Sequence, residues 1–287
     1  MEKKKEASCD VSFSYEVMGM EQLCKQIGMP SEATGQILAI HGDPAFSPPL
    51  HKLTRQAFWQ EGLVELKAYV GEDPGGWKQL CAMLRCALAA KEEYRKAGLS
   101  ETVYHHTMGC FSRFVREHRE SYGHDGFDRG WWTVRQVSCR LFRIGALEYE
   151  LLSPEEGGTV ALHIPTDASL EETGLRTSWE EAKRIISHHF PAYGEAPMTC
   201  HSWLLSPVLG ELLPPHSNIL RFQSSFEIQT LSTPNQGVIL WVFKNPKLPP
   251  EQYPEDTSLQ RALKAFLLGG GTFWDARGVL RTDPFRD

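Results

Sequence analysis

The sequence has no apolar run near the about 20 residues that a helix needs to cross a bilayer. It has no basic excess either, since 30 Lys and Arg stand against 36 Asp and Glu, for a net charge of −6. Nucleic acids are bound through basic faces, so this balance argues against DNA or RNA as the partner. The charged first residues are not followed by an apolar core, which argues against a secretory signal. We therefore expect a cytoplasmic globular protein that does not engage membranes.

Recognisable metal and nucleotide motifs are also missing. The seven cysteines include no CxxC pair, and the spacing of Cys81 and Cys86 does not suit a zinc knuckle. His106 and Cys110 are spaced as two ligands on one helix face, but no carboxylate completes a motif. We expect reduced, mostly buried thiols and no metal. No Walker loop, nucleophile elbow or dinucleotide fingerprint occurs, which disfavours those classes of nucleotide-binding and hydrolytic sites.

The first part of the chain predicts helices and carries no period-two pattern. Trp77–Lys96 has apolar residues at three-four spacing and is closed by Gly98. Ser100 is placed to cap a further helix over 101–122. The turn-rich stretch 123–126 follows. These features predict a helical domain over residues 1–125 and a second domain over 126–287.

The second part alternates strand-like and helix-like segments, which indicates a mixed-sheet α/β domain and an α+β protein as a whole. Helices are predicted over Trp179–Phe190, with Ser178 as the cap, and over Ser258–Leu268. Strands are predicted over 140–151, 159–165, the run around Cys200, 218–228 and 238–243.

The run 199–210 is the most informative segment, because chemically capable side chains open an apolar stretch there. Strand alternation puts His201 and Trp203 on one face and Cys200 on the other, so Cys200 and His201 are not a nucleophile with its own base. Cys200 is either a buried core thiol or an acyl-accepting nucleophile. His201 either bonds a neighbouring carbonyl or acts as a general base. Ser206, before Pro207, is placed to cap a following helix.

Other candidates lie on the neighbouring predicted strands. His163 stands at a strand end, where α/β sheets tend to place ligand groups, or is a surface residue. Alternation puts Arg221 and Gln223 on one face and Asn218 on the other; Arg221 either binds phosphate or carboxylate, or is solvated. Glu227 is either a carboxylate base or a solvent-facing residue.

Four stretches of the second part resemble the family of acyltransferases with an N-terminal helical domain and a GNAT-like C-terminal domain. They are Leu162-His163-Ile164-Pro165, the run Cys200–Pro207, the run Ser217–Gln223, and Trp241-Val242-Phe243 followed by 257–262. The resemblance covers about residues 130–285 and is specific in the Cys-His-Ser-Trp-Leu-Leu run.

The resemblance implies a GNAT-like fold and transfer of an acyl group from acyl-CoA or acetyl-CoA to an amine of a small molecule or peptide. For such a transfer we expect His201 or Glu227 as the base; a separate hypothesis makes Cys200 an acyl-accepting catalytic thiol. The expected substrate or cofactor contacts are His163, Trp203, Ser206, Asn218, Arg221 and Gln223. The sequence departs from GNAT enzymes because it lacks their glycine-rich pyrophosphate loop. The junctions 205–210 and 244–258 are candidate substitutes, and a non-catalytic binding protein that keeps the cleft is the alternative function.

Trp131 and Trp132 lie just past the turn-rich stretch, and we expect them to seal the two domains near the active cleft. Burial of an indole contributes on the order of 25 cal/mol per Å² of apolar surface, which is large against a folding margin of ~5–15 kcal/mol. The double substitution Trp131→Ala, Trp132→Ala is therefore expected to lower the melting temperature by many degrees. Unchanged melting of the double variant would contradict this role.

Overall fold

The computed structural model describes residues 19–234, 236–244 and 248–285. The described chain forms two compact units, one up to Phe142 and one from Arg143 onward. The expected boundary at 125 thus lies one short helix earlier than the division after Phe142. The cysteines among the described residues are buried, apart from the half-buried Cys139. Cys9 and residues 245–247 of the junction 244–258 lie outside the described residues.

Helices build the first unit up to Leu141, where the first described strand begins. The long α4 carries the largest share of its core and packs against α2 and α7. Tyr94 of α4 is buried, and its hydroxyl donates to the Gln136 carbonyl at 2.8 Å. The helices are α1 (residues 19–26), α2 (Ser31–His41), α3 (Trp59–Val70), α4 (Trp77–Lys96), α5 (Glu101–Met108), α6 (Cys110–Tyr122) and α7 (Gly130–Val137).

The predicted boundaries hold well in this unit. Helix α4 has the predicted limits, and the Ser100 side chain accepts a hydrogen bond from the Val103 N–H as the cap of α5. The single helix expected over 101–122 is divided at Gly109 into α5 and α6. Gly123 ends α6 in a left-handed conformation with φ of +80°, which glycine adopts without steric cost.

A six-stranded mixed sheet organises the second unit, in the order β1-β2-β3-β4-β6-β5. The pair β3–β4 is parallel, whereas β2–β3, β4–β6 and β5–β6 are antiparallel. This confirms the α+β class with a mixed sheet. The strands are β1 (Leu141–Ile144), β2 (Leu147–Leu151), β3 (Val160–His163), β4 (Met198–Ser202), β5 (Phe226–Pro234) and β6 (Trp274–Leu280).

Within the described residues, five helices accompany the sheet, and two of them occupy segments that were expected to be strands. They are α8 (Glu172–His189), α9 (Leu209–Leu212), α10 (Asn218–Ser224), α11 (Gln236–Val242) and α12 (Ser258–Leu268). The strand predicted over 218–228 is wrong from 218 to 224, because Ser217 caps α10 by accepting from the Leu220 N–H; only residues 226–228 belong to a strand, the start of β5. The strand predicted over 238–243 is wrong too, since its short apolar run belongs to α11, and such runs do not distinguish strand from buried helix.

The predicted Ser258–Leu268 helix is confirmed as α12. The helix predicted over Trp179–Phe190 is α8, and the cap predicted for it at Ser178 is wrong. Helix α8 begins at Glu172, six positions before Ser178, which is fully buried inside it. The Ser178 hydroxyl donates to the Ile144 carbonyl and accepts from the Leu147 N–H at 3.2 Å. The Tyr149 hydroxyl lies 3.0 Å from the same oxygen. Ser178 therefore fastens α8 to the turn between β1 and β2.

The paired indoles differ in environment. Trp131 is 54% exposed, whereas Trp132 is half-buried with the Arg135 guanidinium 4.3 Å from its ring centroid. The two rings meet edge to face at 5.7 Å. The expectation that both indoles are sealed away is therefore not met by Trp131, and stabilisation from burial falls mainly to Trp132.

Gly145 offers a test of the fastening at Ser178. Its φ is +62°, and an added Cβ would lie 2.9 Å from the Ser178 Cβ. We expect Gly145→Ala to lose about 1–2 kcal/mol from the left-handed backbone and a further ~1–3 kcal/mol from overpacking. Urea unfolding measures the loss. Gly158→Ala is the matched control, because its φ is +61° and its nearest atom would be 3.8 Å away; equal losses in the two variants would contradict the packing argument.

Candidate functional site

One face of the sheet collects the polar side chains. Residues paired across a ladder share a face, and so do residues two apart along a strand. The ladders pair Glu148 with His163, His201 with Arg277, and Ser232 with Asp275. The β3–β4 ladder links the two halves by pairing Ala161 with Thr199. We call this set the polar face: Glu148, Glu150, His163, His201, Glu227, Ser232, Asp275 and Arg277.

The opposite face is apolar and buried. It includes Tyr149, Leu162, Cys200 and Ala276, each at most 1% exposed. Burial raises the pKa of the Cys200 thiol well above its ordinary value. Since the thiolate is the nucleophile, the structure favours the core interpretation of Cys200 over an acyl-accepting thiol. The predicted separation of Cys200 from His201 across the sheet is confirmed.

His201 is exposed on the polar face and contacts Ser232. The His201 Nε2 and the Ser232 Oγ are 2.5 Å apart, and the Ser232 hydroxyl donates to the main-chain carbonyl of Asp275 at 3.4 Å. The contacts join three strands, because His201 lies on β4, Ser232 on β5 and Asp275 on β6. An accessible imidazole held from the β6–β5 side of its strand is suited to moving a proton.

The Asp275 carboxylate lies close to this imidazole in a partly desolvated position. Burial raises the pKa of Asp275, while the nearby charge of His201 and a hydrogen bond from the Gly237 N–H oppose the rise. An added Cβ on Gly237 would lie 2.5 Å from the Asp275 Oδ1. Glycine at the start of α11 is therefore required for the carboxylate to stay beside that backbone N–H.

His163 ends β3 and binds a buried carboxylate. Its Nε2 lies 2.9 Å from the Glu150 Oε2, and Glu150 is 3% exposed. The β3–β4 ladder ends with the pair Leu162 and Cys200, whereas the strands continue to His163 and Ser202. Ligands of open α/β sheets bind outside the carboxyl ends of such parallel strands. His163 and His201 both follow the last pair at this edge.

The segment after β4 is held by a side chain rather than by a helix. Trp203–Leu205 is a single 3-10 turn, and the Ser202 side chain accepts from the Leu204 N–H. Gln223 Nε2 donates to the Ser206 carbonyl at 2.7 Å and to the Leu204 carbonyl at 3.4 Å. Ser206 is buried before the four-residue α9, so its predicted role as a helix cap is wrong. Gln223 thus supports the turn.

The remaining predicted residues are dispersed. Asn218 and Arg221 lie on α10, so the strand alternation predicted for Asn218, Arg221 and Gln223 is wrong. Glu227 pairs with Val279 on the polar face, two strands and two residues from His201. Strand spacings put their Cα atoms about 12 Å apart. The structure brings His201 together with Ser232 and Asp275, which sequence reasoning missed because β6 was not predicted. Its signal was the alternation from Trp274 to Leu280.

Comparison with known proteins identifies both parts of the chain. Residues 18–139 match the N-acyltransferase N-terminal domain, and residues 141–280 match the GNAT-like C-terminal domain. The chain belongs to the family that joins these two domains. The resemblance seen in the sequence is thereby confirmed. No curated protein matches the chain.

Solved acyltransferase structures share the fold of this family member. An acyltransferase in complex with decanoyl-CoA and teicoplanin is 23% identical, with a TM-score of 0.75 over 91% of this chain and 87% of that chain. An acyltransferase mutant in complex with octanoyl-CoA is 22% identical, with a TM-score of 0.76 over 91% and 86%. An acyltransferase in complex with CoA and 10C-teicoplanin is 22% identical, with a TM-score of 0.74 over 91% and 87%.

The described residues were also compared with the requirements of a membrane-spanning helix and of a metal site. Within 19–234, 236–244 and 248–285, no helix has the length and apolar content that crossing a bilayer would take. Over the same ranges, no group of three or more His, Cys, Asp or Glu residues is arranged to hold a metal ion.

The raised pKa of Asp275 predicts a pH-dependent gain from neutralising this residue. A carboxyl whose pKa is raised on folding favours the folded state below its ordinary value of 3.8 and loses that contribution as pH rises through the folded pKa. We expect the stability of Asp275→Asn relative to the wild type to increase as pH rises from about that value toward neutrality. Thermal melts across this pH window measure it, and a gain that shrinks with rising pH would refute the burial argument.

Proposed function

We propose that this chain is an acyl-CoA-dependent N-acyltransferase that acylates an amine of a small molecule or peptide. The observation that carries the proposal is the exposed His201 imidazole at the carboxyl end of the parallel β3–β4 pair, on a sheet of the GNAT-like family. Support comes from the structural neighbours, which are acyltransferases in complex with CoA, octanoyl-CoA or decanoyl-CoA, two of them also with teicoplanin or 10C-teicoplanin. An amine-bearing acceptor is our assignment for this chain.

We assign the pantetheine arm of acyl-CoA to the crevice at the ends of β3 and β4, where the two strands continue beyond their last pair, Leu162 and Cys200. An extended chain with amide groups can add to strand ends through main-chain hydrogen bonds. His163 would line the crevice on the β3 side and Trp203 on the side of the turn after β4. The thioester would then lie near His201, which is where a base is required.

The N-terminus of α8 is an unfavourable site for the phosphates of CoA, because it carries negative charge. Helix α8 follows β3, and its N-terminus would attract anions. Glu171 precedes its first turn and Glu172 lies within it, and Arg176 is engaged by Glu172 and by the Phe285 carbonyl. We therefore assign the phosphates to the junction 205–210 and to the described part of the second junction, residues 244 and 248–258, with the exposed Arg221 as a contributing cation.

The transfer itself needs one proton to be removed. The amine nitrogen attacks the thioester carbon, a C–N bond forms, the C–S bond breaks and CoA leaves as its thiolate. The attacking nitrogen must lose a proton, which we assign to His201 because it is exposed and flanked by Asp275. Glu227 is the second candidate base, but it lies about 12 Å away by strand spacing.

A non-catalytic binding protein is the second candidate, and the acidic start of α8 favours it. Carboxylates at Glu171 and Glu172 oppose a diphosphate at the position where the helix dipole would otherwise attract it. Such a protein would use the same crevice for a small ligand without breaking a thioester.

His201→Gln and Glu227→Gln form a matched pair for testing the enzyme. We expect His201→Gln to lower the rate of CoA release by about 10²–10⁴-fold, because general base catalysis contributes that much. Glu227→Gln is expected to stay within about twofold, since charge screening weakens its influence at that separation. The measurement is thiol release from acyl-CoA in the presence of a panel of amines, with thermal melts as the folding control. The reverse ranking would assign the base to Glu227.

Titration distinguishes the two functions. Acetyl-, octanoyl- and decanoyl-CoA are added to the wild type and followed by heat and melting temperature, because a ligand of the native state must stabilise it. No response to any of them would reject the acyltransferase. Binding without thiol release for any amine would support the binding protein.

A further inference from the structure

We propose that Ser232 and Asp275 are positioning residues that hold His201 as the Nε2–H tautomer, so that Nδ1 is the nitrogen that receives the substrate proton. The role of Nδ1 rests on the proposed function, because it takes His201 as the base. The tautomer is a property of the protein alone.

The hydrogen-bond chain gives the direction. The Ser232 hydroxyl has a single hydrogen, which it donates toward the Asp275 carbonyl at 3.4 Å. Its oxygen is then left as an acceptor for the His201 nitrogen 2.5 Å away. Both contacts of the hydroxyl are satisfied together only when Nε2 carries the hydrogen, and in a neutral imidazole the other ring nitrogen is then the acceptor. The lone pair available for a proton is therefore on Nδ1.

Asp275 supplies the second part of the arrangement through its charge. The carboxylate interacts electrostatically with His201 and is held by the Gly237 N–H. A negative charge beside the ring stabilises the imidazolium that forms when the base takes a proton. Both residues act from the same side of the ring, because β6 neighbours β4 and β5 lies beyond it. Ser232 acts by a hydrogen bond and Asp275 by its charge, so neither needs to touch the substrate.

Other charged side chains on the polar face also act on the His201 ring. Arg277 is paired with His201 on β6 and opposes its protonation. On the β3 side, His163 lies beside Glu150, and Glu148 is paired with His163. Glu227 is the more distant carboxylate on β5. Asp275 and Arg277 thus form a pair of opposite charges whose removal should move the protonation of His201 in opposite directions.

The tautomer can be read by ¹⁵N NMR of the imidazole in the full chain without ligand, with the resonance assigned by its loss in His201→Gln. We expect the Nε2–H form in the wild type, a shift toward mixed tautomers in Ser232→Ala, and restoration in Ser232→Thr. Ser224→Ala is the matched control, because its hydroxyl donates to the Arg221 carbonyl on α10. An Nδ1–H form in the wild type, or no change in Ser232→Ala, would overturn the proposal.

The charge argument has its own readout in the pH dependence of CoA release. In the plot of CoA-release rate against pH, Asp275→Asn should move the acidic limb to lower pH by about half a unit to one unit. Arg277→Gln should move that limb to higher pH by a similar amount. A merely structural role would lower the rate without moving the limb, which would overturn the role of Asp275. Acylation of Ser232 in the mass spectrum after incubation with acyl-CoA would also overturn the positioning role. Confirmed tautomers without CoA release would leave this inference standing and reject the proposed transfer.

Discussion

The position of β6 between β4 and β5 is the constraint on which the candidate site depends. Because strand side chains alternate, Asp275 and Arg277 face the polar side while Ala276 and Gly278 face the core. A slip of one residue would put both charges into the apolar face. Gly278 makes this register specific, since an added Cβ would lie 3.1 Å from the Glu227 carbonyl oxygen and 3.3 Å from the Leu205 Cδ1. Backbone packing at one glycine thus fixes the charges that surround His201.

The two faces of the sheet make different kinds of contact. On the apolar face, the buried Ser178 satisfies the Ile144 carbonyl and the Leu147 N–H and so attaches α8. Buried backbone groups are costly when unpaired, so this serine contributes more than its small apolar area would. On the polar face, His163 pairs with Glu150, and His201 contacts Ser232. One face thereby supplies packing, and the other carries the polar side chains to which we assign the proton transfer.

Local signals predicted the first unit and failed in part of the second. The three-four spacing of Trp77–Lys96 and the cap at Ser100 determine helices through short-range contacts, and both predictions are confirmed. Residues 218–228 read as a strand, because their branched and aromatic side chains match strand chemistry. The cap at Ser217 and the support of the turn by Gln223 make Asn218–Ser224 a helix instead, and the strand begins only at Phe226. His201 was predicted, but its partners were not, because they are distant in sequence. Ser232 lies 31 residues after His201, and Asp275 lies 43 residues after Ser232.

If His201 is the base, as we propose, its environment accounts for selectivity in an exposed imidazole. A fully solvated histidine offers either nitrogen and any orientation, so most encounters with an amine are unproductive. Contact with Ser232 on one strand, and the charge of Asp275 on another, restrict both the ring and its proton. Arg277, paired with His201 on β6, places a positive charge on the same face. The proposed base is therefore held in place by its neighbours rather than by burial, which leaves the ring accessible to an acceptor.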